Sequence, residues 1–69
     1  MDNAKIAEKI LAKRERLGWS RRDLELKCEL LGNTVHENTI SRIESEAGNP
    51  RLSSLLAVCD ALGLRVEVR

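Results

Sequence analysis

Residues 20–44, SRRDLELKCELLGNTVHENTISRIE, constrain the fold of this chain more than any other stretch. Two helical patterns flank a break at Gly32-Asn33-Thr34. Ser20, with Asp23 three positions on, fits a capping box, in which a hydroxyl and a carboxylate each bond a free backbone N–H. Leu24, Cys28 and Leu31 then recur at i, i+4 and i+7, the spacing of one buried helix face. Leu26 and Leu30 make a second stripe, which either widens the core, the expected use, or meets a partner. The following helix has two candidate starts. Thr34 can cap it with Glu37 closing a second capping box, or His36 is the cap with Val35 and Ile40 as a hydrophobic staple. Ile40 and Ile43 face inward from either start, and the helix is expected to end near Ala47-Gly48. Asn38, Thr39, Ser41 and Arg42 occupy its other sides.

The flanks read as support for this pair. Ile6, Ala7, Ile10, Leu11 and Leu17 have helical spacing over 3–17, with Asp2 or Asn3 as the cap and Gly18 as the stop. Lys5, Lys9, Lys13 and Arg16 fall on the solvent side, and Arg14 falls nearer the apolar stripe. Trp19, the only aromatic residue, is expected to anchor the corner between two helices. Asn49-Pro50 marks a turn. Leu52, Leu55, Leu56, Cys59 and Leu62 then predict a helix over 52–62, stopped by Gly63. Beyond it Leu64, Val66 and Val68 alternate with charged residues, which is strand spacing. A lone strand in a helical chain either frays or pairs with another molecule.

Sixty-nine residues make one small domain. Such a chain buries little surface, so oligomerisation would help its stability, and it cannot build a deep catalytic cleft. There is one histidine, His36, and neither a Gly-rich phosphate loop nor a Ser-His-Asp set. No enzyme is expected, and His36 reads as a helix-boundary residue. Cys28 and Cys59 lie far apart at apolar positions and read as buried hydrophobes, not as a disulfide or a metal site. No cofactor and no metal are expected. No apolar run is long enough to span a bilayer. The N-terminus MDNAKIAEKI lacks the pattern of a secretory signal, so a cytoplasmic location is expected.

Net charge is +1, but it is unevenly spread. Residues 1–22 carry seven basic and three acidic side chains, 23–46 two and six, and 47–69 three and two. A short polar helix held against a small core is the way a helix-turn-helix offers side chains to a DNA major groove. The acidity of 23–46 counts against tight non-specific DNA binding.

Three segments carry a family resemblance. The first runs from Ile6-Ala7-Glu8-Lys9-Ile10 through Arg14 to Leu17-Gly18-Trp19-Ser20. The second is Thr39-Ile40-Ser41-Arg42-Ile43-Glu44 followed by Gly48-Asn49-Pro50, and the third is Leu55-Leu56 with Ala61-Leu62-Gly63. In order and spacing they resemble the Cro/repressor-type (Xre) helix-turn-helix family over roughly residues 4–64. The resemblance implies an all-α fold, a compact lambda-repressor-like bundle of four or five helices, binding operator DNA as a two-fold homodimer. It places Glu37, Asn38, Thr39 and Arg42 against bases. Ser20, Arg21, Ser41, Asn49 and Arg51 would contact phosphate, and Arg14 and Glu44 would form a structural ion pair. The residue types suit these roles: Asn can pair with adenine, Arg with guanine, Glu with a cytosine amine, and a helix start favours phosphate.

Two departures from the family pattern stand out. The span between Ser20 and the Thr39 segment is about five residues longer than usual, with the excess within 29–34. Ser45-Glu46-Ala47-Gly48 stands where relatives often carry Gly and a basic residue. The tail 64–69 resembles the extension of HipB- and HigA-type antitoxins, in which a terminal strand pairs across a dimer. The expected organisation is therefore a helix-turn-helix domain at 1–63 and a short C-terminal β-strand at 64–69, with Leu64, Val66 and Val68 in the dimer. The expected function is sequence-specific repression at a palindromic double-stranded DNA operator, with a cognate toxin protein as a further partner if the chain is an antitoxin. The competing expectation is a protein-interaction module with weak or no DNA binding.

Overall fold

The computed structural model describes residues 3–45 and 50–64, which form four helices: α1 (Asn3–Arg16), α2 (Arg21–Leu30), α3 (Glu37–Glu44) and α4 (Leu52–Leu62). Each of α1 and α2 packs on both α3 and α4. The fully buried side chains come from all four: Ile10, Leu24 with Cys28, Ile40, and Val58. Burying a side chain of this size contributes about 1.5–3 kcal/mol, so these few residues are the main adhesive of so small a domain. Among the described residues there is no strand.

Local chemistry sets the helix ends. Ser20 caps α2 in a complete capping box: its Oγ accepts from Asp23 N–H at 3.0 Å, and its own N–H donates to Asp23 Oδ2 at 2.8 Å. The exit from α2 is a Schellman motif, with Asn33 N–H on Cys28 O at 2.9 Å and Gly32 N–H on Glu29 O at 3.0 Å. That turn requires Gly32 at φ +86°, which a side chain would strain. The same two bonds close α4, where Leu64 N–H reaches Cys59 O and Gly63 N–H reaches Asp60 O. Leu64 is thereby folded back onto the core. Leu64, expected to begin a dimer strand, is therefore not in one. The rest of that expected strand, with Val66 and Val68, lies outside the described residues, as does Asp2 as a cap of α1, while Asn3 is already the first residue of that helix.

Several apolar expectations are corrected. Leu31 is the C-cap of α2 and stands 45% exposed, because the helix ends before its stripe comes round to the core. Leu26 and Leu30 do not widen the core; they are 41% and 82% exposed. Leu17 sits past the end of α1 and is exposed. In α4 the buried face is Leu55, Ala57, Val58, Cys59, Ala61 and Leu62, while Leu52 and Leu56 are exposed. Small Ala57 and Ala61 let neighbouring helices approach there, which a count of large apolar residues does not register.

The second helix of the motif also ends early. Helix α3 stops at Glu44, not near Ala47-Gly48. The Ser45 hydroxyl donates back to Ser41 O at 2.9 Å and to Arg42 O at 3.3 Å, and the second of these is a carbonyl that a further turn would use. Of its two candidate starts, the one with His36 at the N-cap is present, and Val35 and Ile40 are both buried as in a hydrophobic staple. His36 itself makes no side-chain capping bond.

Candidate DNA interface

The start of α2 and the outer face of α3 meet at an open groove of about 470 Å³. Ser20, Arg21 and Arg22 line it from α2, Glu37, Asn38 and Ser41 from α3, and Arg14 from α1. Glu37, Asn38 and Arg42 are exposed on α3, and Thr39 and Ser41 are half-buried. With eight residues α3 is about 12 Å long, a length that fits within a B-DNA major groove. Arg51 is exposed at the N-cap of α4 and does not line this groove. Asn49 lies outside the described residues.

Behind the groove, Glu44 ties three helices together. Its side chain is only 2% exposed. Arg14 Nε stands 2.6 Å from Glu44 Oε2 and Arg14 Nη2 3.1 Å from Oε1. Arg21 Nε reaches Oε1 at 2.9 Å. A third arm of Arg14, Nη1, donates to Trp19 O at 2.8 Å and fixes the exit from α1. The hydrogen bond to Glu44 raises the Arg14 pKa despite its partial burial. Such charge-assisted, two-pronged contacts set orientation as well as strength. They hold Arg21 by Nε on Glu44, with about half of its side chain still exposed at the groove.

The capping box at Ser20 changes what the α2 start offers. The Ser20 N–H is taken by Asp23, so it is not offered to an anion at this helix start. The Asp23 carboxyl lies below the usual range because Ser20 donates to its charged form.

Two residues of this region escaped the sequence reading. Arg22 lines the groove and donates from Nη1 to Glu25 Oε2 at 3.0 Å. Glu25 Oε1 accepts the Glu37 N–H at 3.0 Å, capping α3 from the neighbouring helix. Their i, i+3 spacing was visible, but a cap supplied from twelve residues upstream leaves no local signature.

The turn of this motif spans residues 31–36, so the excess expected within 29–34 falls around the end of α2 and in the turn itself. Among the described residues no group of three His, Cys, Asp or Glu could hold a metal. No described helix is long and apolar enough to cross a membrane.

Two helices joined by a turn on a shared core, with polar and cationic side chains along the groove at their starts, define a DNA-binding helix-turn-helix domain. The family model described as helix-turn-helix (HTH_3, the Cro/C1-type, Xre-like kind) matches residues 10–68, and the chain belongs to that family. Membership implies DNA binding with a part in transcriptional regulation, and a non-enzymatic domain. No curated protein and no solved structure matches the chain.

Proposed function

We propose that this chain is a sequence-specific transcriptional repressor that binds a palindromic operator as a homodimer. The observation that carries this reading is the groove shared by Ser20, Arg21 and Arg22 with Glu37, Asn38 and Ser41. It sets phosphate-binding chemistry beside base-reading chemistry, the division of labour that specific DNA recognition needs. In this reading Glu37, Asn38, Thr39 and Arg42 face base edges. Ser20, Arg21, Ser41, Asn49 and Arg51 serve the backbone. One α3 reads a single half-site, and the acidity of 23–46 leaves each copy with weak phosphate attraction, so two copies are needed to hold on. Exposed Leu52 and Leu56 on α4 supply apolar surface for pairing. The segment 65–69 is proposed as a further dimer element.

A narrower form makes the chain the autoregulating antitoxin of a toxin-antitoxin operon, resting on the resemblance of its tail. The competing reading, a protein-interaction module, draws on exposed Leu26 and Leu30 along α2. Selection of duplexes from a randomised pool separates them. The repressor reading expects enrichment of a two-fold symmetric sequence, bound by two copies with strong salt dependence. Absence of any salt-dependent DNA affinity would favour the interaction module.

A further inference from the structure

We propose that Glu25 is a positioning residue for DNA recognition, joining the first turn of α3 to α2 so that both walls of the groove meet DNA at one fixed angle. The inference rests on the DNA-reading role of α3. Residues 31–36 form a long turn between the two helices, so the connecting chain alone sets their relation poorly. The helix start has no cap of its own, since His36 makes no side-chain bond there. Glu25 fills that place from α2. Its side chain is 17% exposed, with Oε1 accepting Glu37 N–H and Oε2 accepting Arg22 Nη1, both at 3.0 Å. Arg22 and Glu37 both line the groove, so Arg22–Glu25–Glu37 is a continuous hydrogen-bonded path from one wall to the other.

The path has an electrostatic consequence. A free helix start attracts phosphate. Here the Glu25 carboxylate occupies the N–H of Glu37, and the exposed Glu37 side chain adds a second negative charge. DNA backbone is therefore repelled from the start of α3 and directed to that of α2, where Arg21 and Arg22 stand. Glu25 fixes the orientation of the reading helix and also selects which helix end receives phosphate.

The test compares Glu25→Ala and Glu25→Gln with the unaltered chain, using a duplex that the unaltered chain selects from a randomised pool and a scrambled duplex of equal composition. Both substitutions remove the same charge and the acceptor for Arg22 Nη1, and Gln keeps an acceptor for the Glu37 N–H, the bond that joins α3 to α2. Glu25→Ala should lower the ratio of specific to scrambled affinity about fivefold, the loss expected for an absent helix cap, while Glu25→Gln stays near the original ratio. Amide exchange at Glu37, measured without DNA, should quicken in Glu25→Ala and not in Glu25→Gln. An unchanged ratio in Glu25→Ala, or an equal loss in both variants, overturns the inference and leaves the DNA-reading role standing. Unaltered exchange at Glu37 in Glu25→Ala overturns it too. If the unaltered chain selects no duplex, the DNA-reading role falls and takes the inference with it.

Discussion

Arg14 of α1 grips Glu44 of α3 with two nitrogens, Nε at 2.6 Å and Nη2 at 3.1 Å, while Arg21 of α2 touches the same carboxylate from the other side. Glu44 is the one buried charged residue among those described. Removing Arg14 leaves that buried charge with only the half-exposed Arg21 as partner, whereas removing Arg21 opens a contact already half in water. Arg14→Leu should therefore destabilise the fold by about 3–5 kcal/mol in urea unfolding, and Arg21→Ala by under about 1 kcal/mol. The double variant Arg14→Leu/Glu44→Leu should be less damaging than Arg14→Leu alone, since no buried charge is left unpaired and Arg21 is half in water. Equal losses for the two arginine variants would show that Arg21 shares the load.

Base readers and phosphate binders should separate by their salt behaviour. Asn38→Ala and Arg42→Ala should each cost about 1–3 kcal/mol of specific affinity and relax selection at one base position. Arg21→Ala should weaken binding to all sequences alike and lower the salt slope by about one. Binding isotherms over a range of salt decide between the two patterns. If neither α3 variant alters binding to the selected duplex, the assignment of that face is wrong.

Gly32 offers a test of the turn. A Cβ built there meets nothing within 4 Å, so the penalty of Gly32→Ala is purely the backbone strain of φ +86°. About 1–2 kcal/mol of destabilisation is expected in urea unfolding. A neutral substitution would mean that the turn relaxes to another conformation.

The pairing of two copies can be tested by shortening the chain. Leu64 packs on the core and its N–H closes α4, so a chain ending at Leu64 keeps the described fold while losing the segment proposed for the dimer. The dimer proposed for it should dissociate at a higher concentration in sedimentation than that of the full chain. Equal dimerisation would remove the tail from the interface and turn attention to Leu52 and Leu56.

Stability should fall at both ends of the pH scale. Burial pushes the Cys28 and Cys59 thiols up, Asp60 adding to the effect at Cys28. A raised folded value means a contribution fully present below the ordinary thiol range and lost as pH climbs through the folded value. Asp23 is shifted the other way, so its contribution is present above the ordinary carboxylate range and lost as pH falls through its lowered value. Urea midpoints across pH check both limbs, and Cys28→Ala or Asp23→Asn should flatten the corresponding one. Both thiols should also resist alkylation in the native protein and react once it is unfolded.

Elements whose signals are local were legible in the sequence. The Ser20–Asp23 capping box and the glycines that end α1, α2 and α4 act within a few residues of themselves, so they can be read from spacing alone. The 3.6-residue period of Ile40 and Ile43 sufficed to put both in the core, and the order of the motifs sufficed for the family. Periodicity alone overstated the core, because it treats every leucine on a stripe as buried. Leu26, Leu30, Leu52 and Leu56 are exposed because a ring of four short helices has too little inner surface to cover them. Chain order also cannot reveal that Glu25 caps α3, or that Arg21 shares the Glu44 carboxylate with Arg14. Those contacts join residues that are distant in sequence and close in space. Stretch 20–44 thus determined by itself that a helix, a turn and a second helix would form. How that second helix is tied to the first, and which backbone N–H groups at the helix starts are already bonded, was decided by the packing of charged side chains across the turn.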